Sequence, residues 1–209
     1  MSFVRKSFPV GPLQCNCTVL GDTETGIGYV FDPGGNPERI MATVHELGLK
    51  IVGLLHTHAH LDHFLAAGEI RRQTGAPIWL HRSDEFLWKA LEQQCRAFGV
   101  PYTAQPDPDH WLEHEQPLEC GGSCIHTPGQ TPGCSSFWFA DGKLLIAGDT
   151  LFLGSVGRTD LPGGNPRDIK TSIQQRLYSL DEAATVVTGH GPETSIGHEM
   201  RHNAFVRAA

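Results

Sequence analysis

The stretch KIVGLLHTHAHLDH, residues 50–63, decides the reading of this chain. Its first six residues, 50–55, form a short apolar run containing the β-branched pair Ile51 and Val52, as a buried strand does. Histidines then crowd in, and His58, His60, Asp62 and His63 fall within the seven residues 57–63. A polar cluster directly after a buried strand sits at the strand's C-terminal end, the edge at which α/β sheets hold ligands. Imidazoles two residues apart can converge on one ion from an extended turn. Asp62 and His63 then point elsewhere and can serve a second ion. The bland alternative is a solvated loop with chance histidines, and four potential ligands in seven positions argue against it.

Two further strand ends repeat the pattern. Asp149 ends the apolar run LLIAG (144–148), and His190 ends TVVTG (185–189) between Gly189 and Gly191. Glycines there let backbone approach a metal closely. Taken singly, Asp149 reads as a cap and His190 as a surface histidine. Taken together, they supply the carboxylate and the extra imidazole that a two-metal site requires.

The remaining elements point to one α/β chain. Strand-like runs lie at 17–20, 27–32, 77–81, 135–140 and 143–148, with Asp141-Gly142 as a hairpin turn between the last two. A helix is expected from the cap Asn36 through Pro37 to Gly48, with Ile40, Val44 and Leu47 on one face. Others are expected over 64–73, from the cap Ser83 to about 97 with Phe86, Leu87, Ala90 and Leu91 inward, over about 167–179 with Ile169, Ile173 and Leu177 inward, and over 195–207. Residues 99–117 read as a Pro-rich loop long enough to act as a lid. Strands and helices alternate, then hairpins appear, then alternation resumes, which implies mixed sheets with helices outside.

The totals set limits. Of 209 residues, 39% are apolar and 19% charged, and the net charge is −7. The acidic balance without a basic tract disfavours nucleic acid, while a small-molecule substrate remains open. No apolar run spans a bilayer, so no membrane association is expected, and the start MSFVRKSFPVGPLQ lacks a secretory signal, so a cytoplasmic location is expected. The six cysteines accordingly read as reduced and structural. Monomer and homodimer both remain open.

THAHLDH, GDTLF (148–152) and GHGPET (189–194) resemble, in order, the motifs of the metallo-β-lactamase superfamily. GSVGRTDLPGGN (154–165) is similar to the short glyoxalase II-like (hydroxyacylglutathione hydrolase-type) enzymes, and GRTD also resembles persulfide dioxygenases. The resemblance runs from about Gln14 to Phe205. It implies an αββα sandwich of two mixed β-sheets with helices on the outer faces, one domain over 1–209. It also implies two divalent ions, zinc first, with iron or manganese as alternatives. In that pattern His58 and His60 bind metal 1, Asp62, His63 and His190 bind metal 2, and Asp149 bridges both. The third metal 1 ligand of the family is a histidine in a TPGHT-like turn. Here the turn reads TPGQT, and the matching residue is Gln130.

Three readings of Gln130 follow. It coordinates metal 1 through its amide oxygen, a harder and weaker donor than imidazole. Or it only forms hydrogen bonds and leaves that site weak. Or His126 swings in.

The activity implied is hydrolysis of acyl-thioesters such as a glutathione thioester. A metal-bound hydroxide would be the nucleophile, Asp62 would orient it, and Arg158 would hold a substrate carboxylate. An ion pair is the structural alternative for Arg158. Glyoxalase II proper carries a C-terminal glutathione-binding helical domain, which is not expected in the 19 residues after His190. The alternatives are a mononuclear-iron persulfide dioxygenase and a weakly catalytic metal-binding protein. Residues 198–202, HEMRH, match the H-E-x-x-H protease pattern literally, but they lie on a terminal helix with little room for a third ligand.

Overall fold

The structure, a computed structural model, describes residues 3–208. It divides after Trp111 into two units, each built on one mixed sheet.

The first sheet holds six strands, β1 (Phe3–Val10), β2 (Cys15–Asp22), β3 (Ile27–Phe31), β4 (Lys50–Leu55), β5 (Ile78–His81) and β6 (His110–Leu112), paired in chain order. β1, β2 and β3 form an antiparallel meander, and β3, β4 and β5 run parallel. The parallel crossovers carry helices α1 (Pro37–Glu46) and α2 (Ala67–Thr74), as parallel neighbours require. Ile40 and Val44 of α1 are buried with Val30, Leu54, Phe64 and Ile70. Each such side chain contributes about 1.5–3 kcal/mol on leaving water. Gly48 has φ +65° just past α1, the left-handed stop expected there.

Asn36, the helix from Ser83 and the stretch 99–117 differ from the sequence reading. Asn36 is left-handed at φ 50° and makes no side-chain cap, because its Oδ1 accepts from Gly11 N at 2.8 Å. The helix expected from Ser83 is two pieces, α3 (Glu85–Lys89) and α4 (Leu91–Phe98), broken at Ala90. The break turns Phe86 to solvent and buries Trp88 instead, where it stacks on Phe64 at 4.0 Å between ring centroids. The stretch before β6 is fastened down rather than free to close. Gln105 bonds Gly68 N and Leu65 O, Asp109 accepts from Ile78 N, and Trp88 Nε1 donates to Pro106 O.

The second unit holds β7 (Ser123–His126), β8 (Ser135–Phe139) and β9 (Leu144–Gly148), then the short ribbon of β10 (Leu151–Phe152) and β11 (Ser155–Val156), then β12 (Thr185–Thr188) and β13 (Thr194–Ser195). The order in its main sheet is β13-β12-β9-β8-β7. β9 and β12 are parallel, and the other pairs are antiparallel. The crossover from β9 to β12 carries α5 (Pro166–Ser172), which continues as a π-helical turn over Ile173–Leu177. Asn165 caps α5 through Oδ1 to Arg167 N and Asp168 N. Ile169, Ile173 and Leu177 are buried, as their spacing predicts. The last helix, α6 (Ile196–His202), is capped by Ser195 Oγ on His198 N. No helix among the described residues is long and apolar enough to cross a membrane.

Candidate metal centre

In both units the polar clusters leave the C-terminal ends of two adjacent parallel strands. In the first, β3 and β4 end side by side, and Asp32 N donates to Leu55 O at 3.0 Å. Asp32 follows β3, and the histidine-rich turn follows β4.

The chain leaves β4 extended and closes into one 3₁₀ turn, Leu61–His63. His58, His60, Asp62 and His63 are all buried. Nε2 of His58 lies 3.0 Å from Nδ1 of His60, so the two imidazoles converge as the i, i+2 spacing predicts. The His58 and His63 rings approach to 4.0 Å between centroids. Asp62 Oδ2 lies 3.7 Å from His63 Nε2.

The turn is suspended from groups that sequence reasoning did not single out. Asp84 Oδ2 accepts from Ala59 N, while Gln94 accepts from Leu61 N and donates to Ala59 O. Asp84 stands at the N-cap of α3 without capping it, because its carboxylate is spent on the turn. Asp32 Oδ1 accepts from Thr57 N at 2.8 Å, and its Oδ2 meets Thr57 Oγ1 at 2.7 Å and His63 Nδ1 at 3.0 Å. Thr57 Oγ1 also lies 3.0 Å from His58 Nδ1. A visible signal for Asp32 existed: an aspartate closing the apolar run IGYVF, in the position that Asp149 holds after LLIAG.

Gly34 packs against this turn so closely that a Cβ would fall 1.6 Å from Asp62 O. His56, fully buried, gives Nδ1 to Trp79 O, and its ring meets Trp88 edge-on at 5.1 Å. Burial pushes its imidazole down to about 4, so it stays neutral at neutral pH. Cys15 Sγ lies 3.4 Å from His63 Nδ1, and burial pushes that thiol up to about 12 against the pull of His63.

In the second unit, β9 and β12 end together, with Gly189 N donating to Gly148 O at 2.7 Å. Asp149 follows β9, and His190 follows β12. His190 Nε2 lies 3.8 Å from Asp149 Oδ1. Gln130 is 3% exposed and donates from Nε2 to Asp149 Oδ2 at 2.8 Å. The structure thus brings Gln130, Asp149 and His190 together. A Cβ on Gly189 would stand 1.9 Å from Asp149 Oδ1. Gly189→Ala is therefore expected to displace the carboxylate and cut bound metal affinity about 10-fold or more. Elemental analysis of the purified variant checks this, and an unchanged metal content would refute it.

Arg158 is half-exposed and forks onto Asp160 through two bonds of 2.8 Å. That pairing holds the Asp160 carboxyl down to about 2. HEMRH is not a metal group. Glu199 is fully buried and takes Thr194 Oγ1, Gly154 N and Asn203 Nδ2, and among the described residues no third donor joins His198 and His202. Glu199 and Asn203 face inward. All six cysteines are free thiols.

The donor set suits a divalent ion. It is made of imidazoles and carboxylates, and Nδ1 of His58 and of His63 is engaged by Thr57 and Asp32. That outer-shell pattern fixes the ring and presents the opposite nitrogen to a metal. A family model described as the metallo-beta-lactamase superfamily matches residues 10–190. The chain belongs to this superfamily. Within the superfamily, it is 37% identical over 205 residues to the hydroxyacylglutathione hydrolase GloC of Haemophilus influenzae, covering 96% of each chain. Among solved structures, the BLEG-1 B3 metallo-beta-lactamase matches with TM-score 0.89 at 37% identity, over 97% of this chain and 99% of that one. A di-iron-bound form of TTHA1623 matches with TM-score 0.89 at 36% identity, over 96% and 100%. Two mixed sheets with their helices agree with the fold of these superfamily neighbours, the α/β class expected from the sequence. Membership implies a metal-dependent hydrolase.

Proposed function

We propose that the protein hydrolyses acyl-thioesters, of the glyoxalase II type, with His58, His60, Asp62 and His63 as metal ligands in the first unit and Asp149 and His190 as metal ligands in the second. The observation that carries this reading is the buried 58–63 turn, whose two ring nitrogens converge and whose His63 is locked by Asp32. The 37% identity to GloC supports the thioester substrate. When bound, the metal would supply an acidified water and an electrophile for a carbonyl at neutral pH. Zinc is the first expectation for such nitrogen and carboxylate donors, and the di-iron relative makes iron the alternative.

The chain's own residues do the rest. Asp62, carried on a turn held by Gln94, orients the attacking water and accepts its proton. A thiolate leaves without a strong general acid, because a thiol of pKa about 8.5 is already a good leaving group. No dedicated acid is therefore required of the chain. Arg158 offers a substrate carboxylate a forked partner in exchange for Asp160. It lines a cleft of about 360 Å³ with Lys170, Ile169 and Phe205.

The test is a steady-state assay of metal-loaded protein against a glutathione thioester, a lactone and a β-lactam. Thioester cleavage well above the other two is expected. Protein with full metal content that cleaves none of the three would end the hydrolase reading.

A further inference from the structure

We propose that Gln130 is a positioning residue rather than a metal ligand, and that it makes the two ion sites unequal, one tight and one weak. This rests on the metal-dependent reading above.

A carboxylate only accepts hydrogen bonds, so the group that Gln130 turns to Asp149 Oδ2 must be its NH₂. The amide oxygen consequently points the other way, where Cys134 Sγ lies 3.8 Å from Oε1 with its thiol directed at it. Cys134 Sγ is itself held by Thr131 N at 3.3 Å and lies 3.2 Å from Thr131 Oγ1. Both ends of the amide are therefore engaged. Offering Oε1 to a metal means rolling the amide over. That breaks the bond to Asp149 and sets NH₂ against the donor side of Cys134.

The turn that carries Gln130 does not give way to accommodate such a roll. Gly129 has φ +151°, and a Cβ there would meet Ile169 N at 2.2 Å. Asn165 N donates to Gly129 O at 2.7 Å, Ser172 Oγ to Pro128 O at 2.7 Å, and Arg176 to His126 O. The same staples dispose of the substitute ligand. His126 Nε2 lies 2.9 Å from Pro132 O, inside the turn, so His126 does not swing in.

Asp149 then has one carboxylate oxygen committed to Gln130. A carboxylate oxygen keeps a second lone pair, so this bond orients Asp149 for a metal as an outer-shell partner does and does not block it. What makes one site weak is the missing imidazole, which an amide engaged at both ends does not replace. Cys134, read from the sequence as structural, acquires a more definite part: its thiol favours the end of the amide that faces Asp149.

The experiment counts ions. Wild type, Gln130→His and Gln130→Met are loaded separately with Zn²⁺ and with Co²⁺, dialysed against a limiting chelator, and analysed for metal per chain. Circular dichroism checks the fold of each. Wild type is expected to retain one equivalent and Gln130→His two. Gln130→Met keeps the length but lacks the donor. It is expected to retain one, held about 10-fold more weakly because Asp149 has lost its outer-shell partner. Two equivalents in wild type falling to one in Gln130→Met would make Gln130 a ligand and overturn the proposal. So would equal counts in wild type and Gln130→His. The wild-type and Gln130→Met counts decide even if the histidine variant does not fold. No metal in wild type would remove the metal-dependent reading itself, whereas one tight ion without thioester cleavage would count against the substrate alone.

Discussion

Asp62→Asn is expected to lower kcat/KM for a thioester about 10³-fold, the middle of the range for loss of a positioned proton acceptor. The substitution is nearly isosteric, and the backbone at residue 62 has nowhere to go. Its carbonyl lies under Gly34, at a distance that admits no Cβ, and the turn hangs from Gln94 and Asp84. Structure should therefore survive while the negative charge 3.7 Å from His63 Nε2 disappears. An amide neither accepts the proton of an attacking water nor binds a cation as a carboxylate does. The loss should fall mainly on kcat, because the missing interaction belongs to the transition state. Metal content measured on the same sample separates lost ligation from lost proton transfer. A drop of less than about 10-fold with full metal would remove Asp62 from the chemistry.

Asp32→Ala should be the most destabilising single change near the site. The carboxylate is 2% exposed and satisfies Thr57 N, Thr57 Oγ1 and His63 Nδ1 together. Removing it leaves an amide, a hydroxyl and an imidazole buried without their acceptor, a loss of about 3–5 kcal/mol. Asp32 also sits at φ +49°, which alanine tolerates less well than aspartate. For a chain of this length each kcal/mol moves Tm by about 2–4 °C, so a fall of about 10 °C is expected in thermal unfolding. His63 would lose its fixed tautomer, and metal affinity should fall about 10- to 100-fold. A Tm within about 2 °C of wild type would show that water replaces the carboxylate at no cost.

Much of the fold is legible because parallel strands buried on both faces read as unbroken apolar runs. KIVGLL, LLIAG and TVVT are strands to within a residue of their expected bounds. β1 escapes a sequence reading for the opposite reason: in FVRKSFPV the polar triplet Arg5-Lys6-Ser7 interrupts the apolar residues, most of its length is half-exposed, and it carries a proline. The α3–α4 break is not legible in the sequence because a continuous helical period runs across it. Gln94 spans the break, its Nε2 donating to Leu87 O as well as to Ala59 O, and no local period marks that residue. Residues within motifs were legible as a site because the chemistry demands particular side chains at fixed spacing. Their supports were not. Asp84 and Gln94 lie 25 and 33 residues from the backbone groups they bind, and nothing in local pattern marks them. The orientation of Gln130 was equally hidden, since composition cannot say which end of an amide faces a carboxylate.

The stapling of the 126–134 turn has a genetic consequence. Its shape is written into Gly129, Asn165, Ser172 and Arg176, and none of these depends on what stands at 130. Glutamine and histidine share the first two bases of their codons. A single third-base change therefore swaps the occupant of a turn held by other residues, and, on the proposal for Gln130, the number of tightly held ions is expected to change in one mutational step, in either direction.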